Sequence, residues 1–373
     1  MKITNVESIY LRLPDLDASK CDGTQDTLIM RVSTDEGIVG LGEVDSIPLV
    51  AKATVDAPPS HSIVTGLRSV LIGENPLDVE RLWDKMHRAT IYLGSTGPVM
   101  HAMSGIDIAL WDIVGKTFQQ PVSRMLGGVF RPQLKAYASA LMPETPEEAA
   151  ELALKNANLG YKAMKFGWGP IGRDYQLDVA LIREIRNAIG DDIDVMIDGG
   201  LAWDLKGALK MAELYEKYNV FWFEEPLHPN DIAGYRALSD RTRLHIAAGE
   251  QESGRASFAR LLDEGHVDII QPDLARCGGL TEGKRIAYLA YDRHKRVVPH
   301  AFKTGILVAA STHFAAAIPN GFMIEHTVST SPLARDLVCD PIEFKDGYVT
   351  VPVERSGLGI SLNEKVLEKF RVV

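Results

Sequence analysis

The chain has 373 residues, 46% of them hydrophobic and 24% charged, with a formal net charge of −10. That length exceeds one small core, and the composition excludes a disordered or fibrous chain. The excess of acid and the lack of a basic stripe argue against nucleic acid as a partner, and no apolar run is long enough to span a bilayer, the longest (305–318) being broken by Ser311, Thr312 and His313.

Residues 1 to about 45 alternate in the β pattern, with strands expected at Ile3–Leu11, Thr27–Ser33 and Ile38–Glu43. The opening stretch has no signal-peptide apolar segment. Cys21, Cys277 and Cys339 form neither a CxxC pair nor a disulfide framework, so a reducing cytoplasm is the expected compartment. Polar, irregular segments fall at 14–26 and 45–61. From about 63 to 127 the pattern is helical, as in Met103, Ile106, Leu110, Ile113 and Val114. Residues 1–130 therefore read as a small α+β domain.

From residue 134 short apolar strands alternate with amphipathic helices. The expected strands are Leu134–Ser139, Ala163–Gly167, Asp194–Asp198, Val220–Glu224, His245–Glu250, Asp268–Asp273, Val297–His300 and Gly321–Glu325. The first helix opens on Thr145-Pro146-Glu147-Glu148, with an N-cap, a proline at N1 and an acid at N3. Further helices are expected at Leu177–Ile189, Leu205–Tyr218, Ala256–Glu264 and Thr281–His294. This predicts an α/β fold, a (β/α)8-type barrel over 131–335. The tail, 336–373, is β-like around an Asp346-Gly347 turn and is expected to return to the N-terminal domain.

The strand ends carry the chemistry. Six consecutive strands end in Asp198, Glu224, Glu250, Asp273, His300 and Glu325, each one βα unit after the last. In a barrel, these C-terminal ends open on one face, where barrel active sites lie. A single acid there is a solvated strand end; six groups in phase are a site. Five acids would repel one another unless protonated or joined by a cation. Asp198, Glu224 and Glu250, with no Cys or His beside them, make an oxygen-only set suited to Mg²⁺. Glu225 alternates to the other side of its strand and is expected to brace a neighbour. His300 lies one strand on from Asp273, a pairing that orients an imidazole and raises its basicity. Lys165 brings a positive charge near the metal. Glu325 reads either as a substrate contact or as a structural partner. The glycine-rich 276–283 segment reads as a sharp turn, and His228, His313 and His326 read as structural.

The motifs SGIDIALWDIVGK (104–116), VMIDGGLAW (195–203), FWFEEP (221–226), AAGE (247–250), IIQPDLARCGG (269–279), VVPH (297–300) and GLGISL (357–362) resemble the enolase superfamily, in its mandelate racemase-like subgroup, over nearly the whole chain. The resemblance implies a barrel with an α+β capping domain built from the N-terminus and the C-terminal tail. Loops 14–26 and 45–61 would close over the mouth. Asp198, Glu224 and Glu250 would bind Mg²⁺, and His300, oriented by Asp273, would remove the proton α to a substrate carboxylate. Lys165 and the metal would stabilise the resulting enediolate. Glu325 matches a position that contacts the substrate carboxylate in several members. The resemblance also implies a homo-oligomer acting on a small-molecule carboxylate, with neither nucleic acid nor membrane as partner.

Two departures narrow the expectation. Many members carry Lys-x-Lys at the second strand, whereas this chain has Lys165-Phe166-Gly167, so the second base is missing. The family's Asp-x-Asn is Asp198-Gly199-Gly200 here. One base fits dehydration of an acid sugar to a 2-keto-3-deoxy acid, and the Lys-x-x-Trp-Gly-Pro pattern is similar to rhamnonate dehydratase-like members. The alternatives are a sugar-acid lactone cycloisomerase, a racemase or epimerase, and a binding homologue without catalysis. A metal hydrolase is disfavoured because the first strand lacks His-x-His. Trp168, Lys20 and Arg173 are candidate substrate contacts, or else packing and surface residues.

Overall fold

The computed structural model describes residues 1–61 and 63–372; Ser62 and Val373, which the expected cap and tail include, lie outside it. Three antiparallel strands, β1 (Ile3–Arg12), β2 (Asp26–Thr34) and β3 (Val39–Val44), open the chain in the order β1-β2-β3. Helices α1 (Pro48–Asp56), α2 (Leu67–Leu71), α3 (Val79–Thr90), α4 (Pro98–Thr117) and α5 (Val122–Met125) follow. α4 lies on β2 and β3. Gly40 and Gly42 make that approach possible, because a Cβ on either would sit 2.0 or 1.9 Å from a backbone oxygen of α4. The buried faces of these elements form one apolar core, including Leu28, Met30, Leu82, Met103 and Ile106.

The second unit is the barrel. Its strands are β4 (Gln133–Leu141), β5 (Ala163–Gly167), β6 (Asp194–Asp198), β7 (Val220–Glu224), β8 (His245–Ala248), β9 (Ile269–Ile270), β10 (Arg296–Val297) and β11 (Met323–Thr327). They pair in parallel from β4 through to β10, and β11 pairs with β4. A bridge between Val297 and Gly321 closes the ring. The intervening helices are α6 (Pro146–Asn158), α7 (Tyr175–Ile189), α8 (Leu205–Lys217), α9 (Ile232–Ser239), α10 (Arg255–Asp263), α11 (Gly279–Tyr291) and α12 (Gly305–Ala317). The Thr145-Pro146-Glu147-Glu148 start is a full capping box, with Thr145 and Glu148 bonding reciprocally to each other's backbone N–H.

The expected strands are present, but three are shorter. β8, β9 and β10 leave their ladders before Gly249, Pro272 and Pro299. Proline has no N–H for a ladder, and Gly249 sits at φ 131°, outside strand geometry. α12 was not expected as a helix. It is buried on nearly every face, between the barrel and the cap strand β3, so no polar stripe marks its period.

The tail divides its contacts. After α13 (Pro332–Arg335), a hairpin of β12 (Phe344–Lys345) and β13 (Tyr348–Thr350) adds antiparallel to the start of β4, on the barrel rather than the cap. From Gly357 on, the chain reaches the cap. Leu358 N–H donates to Asp112 at 2.8 Å, and α14 (Glu364–Phe370) lies on β1, with Val372 N–H donating to Tyr10 O at 2.9 Å.

Candidate active site

The barrel interior is layered two residues at a time. Tyr137, Ala163, Met196, Trp222, Ala247, Ile269, Val298 and Met323 form one buried apolar plug. Side chains two positions on share the same inward direction. Those positions hold Ser139, Lys165, Asp198, Glu224, Gln271, His300 and Glu325. At β8 the residue two on is Gly249, whose positive φ breaks the alternation and brings Glu250 to the site instead. A Cβ on Gly249 would lie 2.7 Å from the Phe258 ring.

Carboxylate oxygens of Asp198, Glu224 and Glu250 all lie within 4.8 Å of one another, and all three residues are buried. Burial first, and then Glu224, push the Asp198 carboxyl well above its usual range. Burial raises Glu224 as well, against the opposing pull of Lys165. Glu250 Oε2 is buried and makes no hydrogen bond. A cluster of repelling carboxylates with an orphaned oxygen and only oxygen donors fits a hard divalent cation. Trp222 Nε1 at 2.9 Å and Gln271 Nε2 at 2.7 Å both donate to Glu224 Oε2, fixing its orientation.

Lys165 is buried against Glu224, 3.0 Å from Glu325 and 4.0 Å from Asp198. Burial disfavours its charge, but Glu224 and Glu325 outweigh this and hold the ammonium well above its usual pKa. Both oxygens of Glu325 are engaged, by the Ser139 hydroxyl and the Ala301 N–H, each at 2.6 Å. Burial would raise Glu325, yet Lys165 and His300 bring it down to about 2.

His300 Nδ1 lies 2.6 Å from Asp273 Oδ2, while Asp273 Oδ1 accepts the Ala275 N–H at 2.7 Å. This leaves His300 Nε2 facing the carboxylates, 3.3 Å from Glu250. Burial lowers the imidazole pKa, but Glu250, Glu325 and Asp273 together raise it to about 10. A cation shared with Glu250 would offset that carboxylate and bring His300 down.

A cavity of about 530 Å³ opens over these groups, a volume suited to a small ligand. Lys165, Asp198, Glu250, His300 and Glu325 line it, with Trp168 and Lys20. Arg173 does not line it. It is exposed and pairs with Glu144 at 3.1 Å. The Trp168 indole lies over Gly200, where a Cβ would come within 3.1 Å of the ring. The altered Asp198-Gly199-Gly200 sequence thus makes room for Trp168, and the Gly200 N–H donates to Asp198 Oδ1 at 3.0 Å. Glu225 accepts from Tyr235 Oη at 3.0 Å and Gly249 N–H at 2.8 Å, bracing the turn that presents Glu250.

Sequence reasoning missed several groups at the site. Gln271 and Ser139 were in phase with the acids and could have been found by counting two residues from the plug. Asp45 and His101 come from the cap, and Arg276 and Lys303 come from barrel loops. No periodicity marks any of these four.

Residues 3–127 match the mandelate racemase / muconate lactonizing enzyme N-terminal domain, and 147–366 match the enolase C-terminal domain-like family. A D-galactarolactone cycloisomerase from Agrobacterium fabrum is 32% identical, over 100% of this chain and 99% of its own. An L-rhamnonate dehydratase from Saccharopolyspora erythraea is 32% identical, over 91% of this chain and 84% of its own. The crystal structure of the 3,6-anhydro-D-galactonate cycloisomerase from Zobellia galactanivorans is similar at a TM-score of 0.91 and 33% identity, covering 100% of both chains. With its cap, its closed barrel and its strand-end acids, the chain belongs to the mandelate racemase / muconate lactonizing enzyme family of the enolase superfamily.

Proposed function

We propose that the protein is a Mg²⁺-dependent acid-sugar dehydratase, a hydro-lyase of the cytoplasm. The observation that carries this reading is one His–Asp pair facing the carboxylate cluster with, among the described residues, no second base opposite it. At the family's second lysine position stands Gly167, where even a Cβ would lie 2.5 Å from Asp198 Cβ.

Asp198, Glu224 and Glu250 would hold the ion, which when bound supplies positive charge against the substrate carboxylate. Lys165 adds a fixed ammonium on the same side. His300 Nε2 takes the α-proton, and Asp273 keeps Nδ1 protonated and steadies the imidazolium. The same N–H then gives its proton to the β-hydroxyl, which departs as water. Both transfers occur on one face, so the elimination is syn. The resulting enol becomes a 2-keto-3-deoxy acid. The relatives' names support the substrate class, since they include dehydratases of rhamnonate, gluconate, xylonate, galactonate and arabinonate. Exposed Ile91, Tyr92 and Leu93 on the cap support a homo-oligomer.

A cycloisomerase is the second reading. It is favoured by two cycloisomerases that match over full length. There the leaving group would be a ring oxygen, and no water would be lost. Proton NMR in D₂O, with Mg²⁺ and a panel of aldonic acids, aldaric acids and their lactones, separates the two. Dehydration yields a ketone from an open-chain acid. Conversion of lactones alone would replace the dehydratase with the cycloisomerase. Deuterium at the α-carbon without either product would mean an epimerase.

A further inference from the structure

We propose that the substrate carries a single carboxylate, as an aldonic acid or its cyclic form rather than an aldaric diacid, and that Asp45 enforces this choice. This rests on reading the site as an acid-sugar enzyme. The carboxylate end is accounted for by the acid cluster and Lys165. What remains is the wall of the cavity that the cap completes.

Two cations stand on that wall, the part-buried Arg276 and the buried Lys303, and both are already paired with acids. Arg276 Nη2 donates to Asp45 Oδ2 at 2.6 Å and Nη1 to the Glu250 carbonyl at 3.1 Å, with Nε 3.8 Å from Asp273. Lys303 Nζ donates to the Gly23 carbonyl at 2.6 Å and lies 3.1 Å from Asp45 Oδ1 and 3.9 Å from Asp26. Asp45 thus spends one oxygen on each cation. Burial would raise its carboxyl, but Arg276 and Lys303 hold it well below the usual range, so it stays an anion.

Among the described residues no other lining cation replaces them, His300 being held between Asp273 and Glu250. Lys20 is 67% exposed and stands 3.8 Å from Asp17, so water screens it. Lys165 is locked between Glu224 and Glu325. Asp22 and Asp26 add acid to the same lining. A second carboxylate placed here would be desolvated beside like charges without a free counter-ion, which is costly. Hydroxyls meet no such barrier. The Asp45 carboxylate accepts from them. His101, whose buried Nδ1 has no partner, offers a neutral imidazole, since burial and then Arg276 lower its pKa to about 4.

The test is calorimetric binding to the Mg²⁺-loaded protein of matched pairs: gluconate and glucarate, galactonate and galactarate, and their lactones. The mono-acid of at least one pair should bind about tenfold tighter or more than its diacid, ~1.4 kcal/mol. Asp45→Asn leaves Arg276 and Lys303 with unmatched positive charge, so the ratio should narrow or invert. If that variant does not fold, the wild-type ratio alone decides the matter. Equal or tighter diacid binding by the wild type overturns the inference while leaving the acid-sugar reading intact. A folded Asp45→Asn protein with an unchanged ratio removes Asp45 from the role. Failure of every acid to bind, with Mg²⁺ bound, overturns the acid-sugar reading and this inference with it.

Discussion

Two layers of the same barrel, two residues apart, have opposite physics. The plug of Met196, Trp222, Val298 and Met323 is apolar and close-packed. The layer above it, Asp198, Glu224, His300 and Glu325, is equally buried but charged. The plug contributes burial and dispersion to folding. The upper layer gathers repelling carboxylates and an orphaned Glu250 oxygen, an arrangement that costs stability until a cation joins it. Stability and chemistry are thus segregated along each strand, and a substitution in either layer should affect only one of them.

The sharpest way to break this contrast is Asp198→Asn. Mg²⁺-dependent turnover should fall by at least about 10³-fold, whereas the metal-free melting temperature should hold or rise as one buried, crowded carboxyl is removed. A large drop in the metal-free melting temperature would mean that the acid layer is structural. Two residues earlier, Met196→Ala should do the reverse. It should cost about 2–5 kcal/mol in chemical denaturation while Mg²⁺ binding, read by calorimetry, persists. Asp273→Asn sharpens the picture inside the upper layer. Turnover should fall by roughly 10²-fold or more. Asp273 is one of the groups that raise His300, so the acidic limb of the kcat/KM profile should move to lower pH.

The smallest effect concerns Glu225. Burial raises its carboxyl from 4.5 to about 8 in the folded protein. Between those values the native state binds more protons than the unfolded chain, so this group lowers stability as pH rises from about 4.5 to about 8. Glu225→Gln should flatten that decline, measured as the difference in unfolding free energy between the two ends of the window. An unchanged pH dependence would show that Glu225 keeps its proton in neither state.

The upper layer was legible because strands alternate with period two and end in phase. Counting βα units puts Asp198, Glu224, Glu250, His300 and Glu325 on one face from the sequence alone. Lys165-Phe166-Gly167 was equally plain in lacking the second lysine of Lys-x-Lys. What escaped has physical reasons. α12 is buried on nearly all sides and so shows no amphipathic period. The tail hairpin pairs with β4 through backbone hydrogen bonds that ask little of side-chain identity. Asp45, Arg276 and Lys303 lie far apart in sequence and meet only where the cap touches the barrel loops. Trp168 and Gly200 were visible as departures, but their shared cause, the indole lying over the glycine, is a tertiary contact.

The central claim is that His300 is the single base above a carboxylate metal site. Its most direct test is His300→Asn, with α-proton exchange into D₂O followed by NMR and Mg²⁺ binding measured by calorimetry on the same preparation. The account predicts that exchange and turnover vanish, a loss of about 10⁴-fold, while Mg²⁺ affinity stays within a few fold of the wild type. Exchange that continues at the wild-type rate would contradict it and pass the proton to another residue.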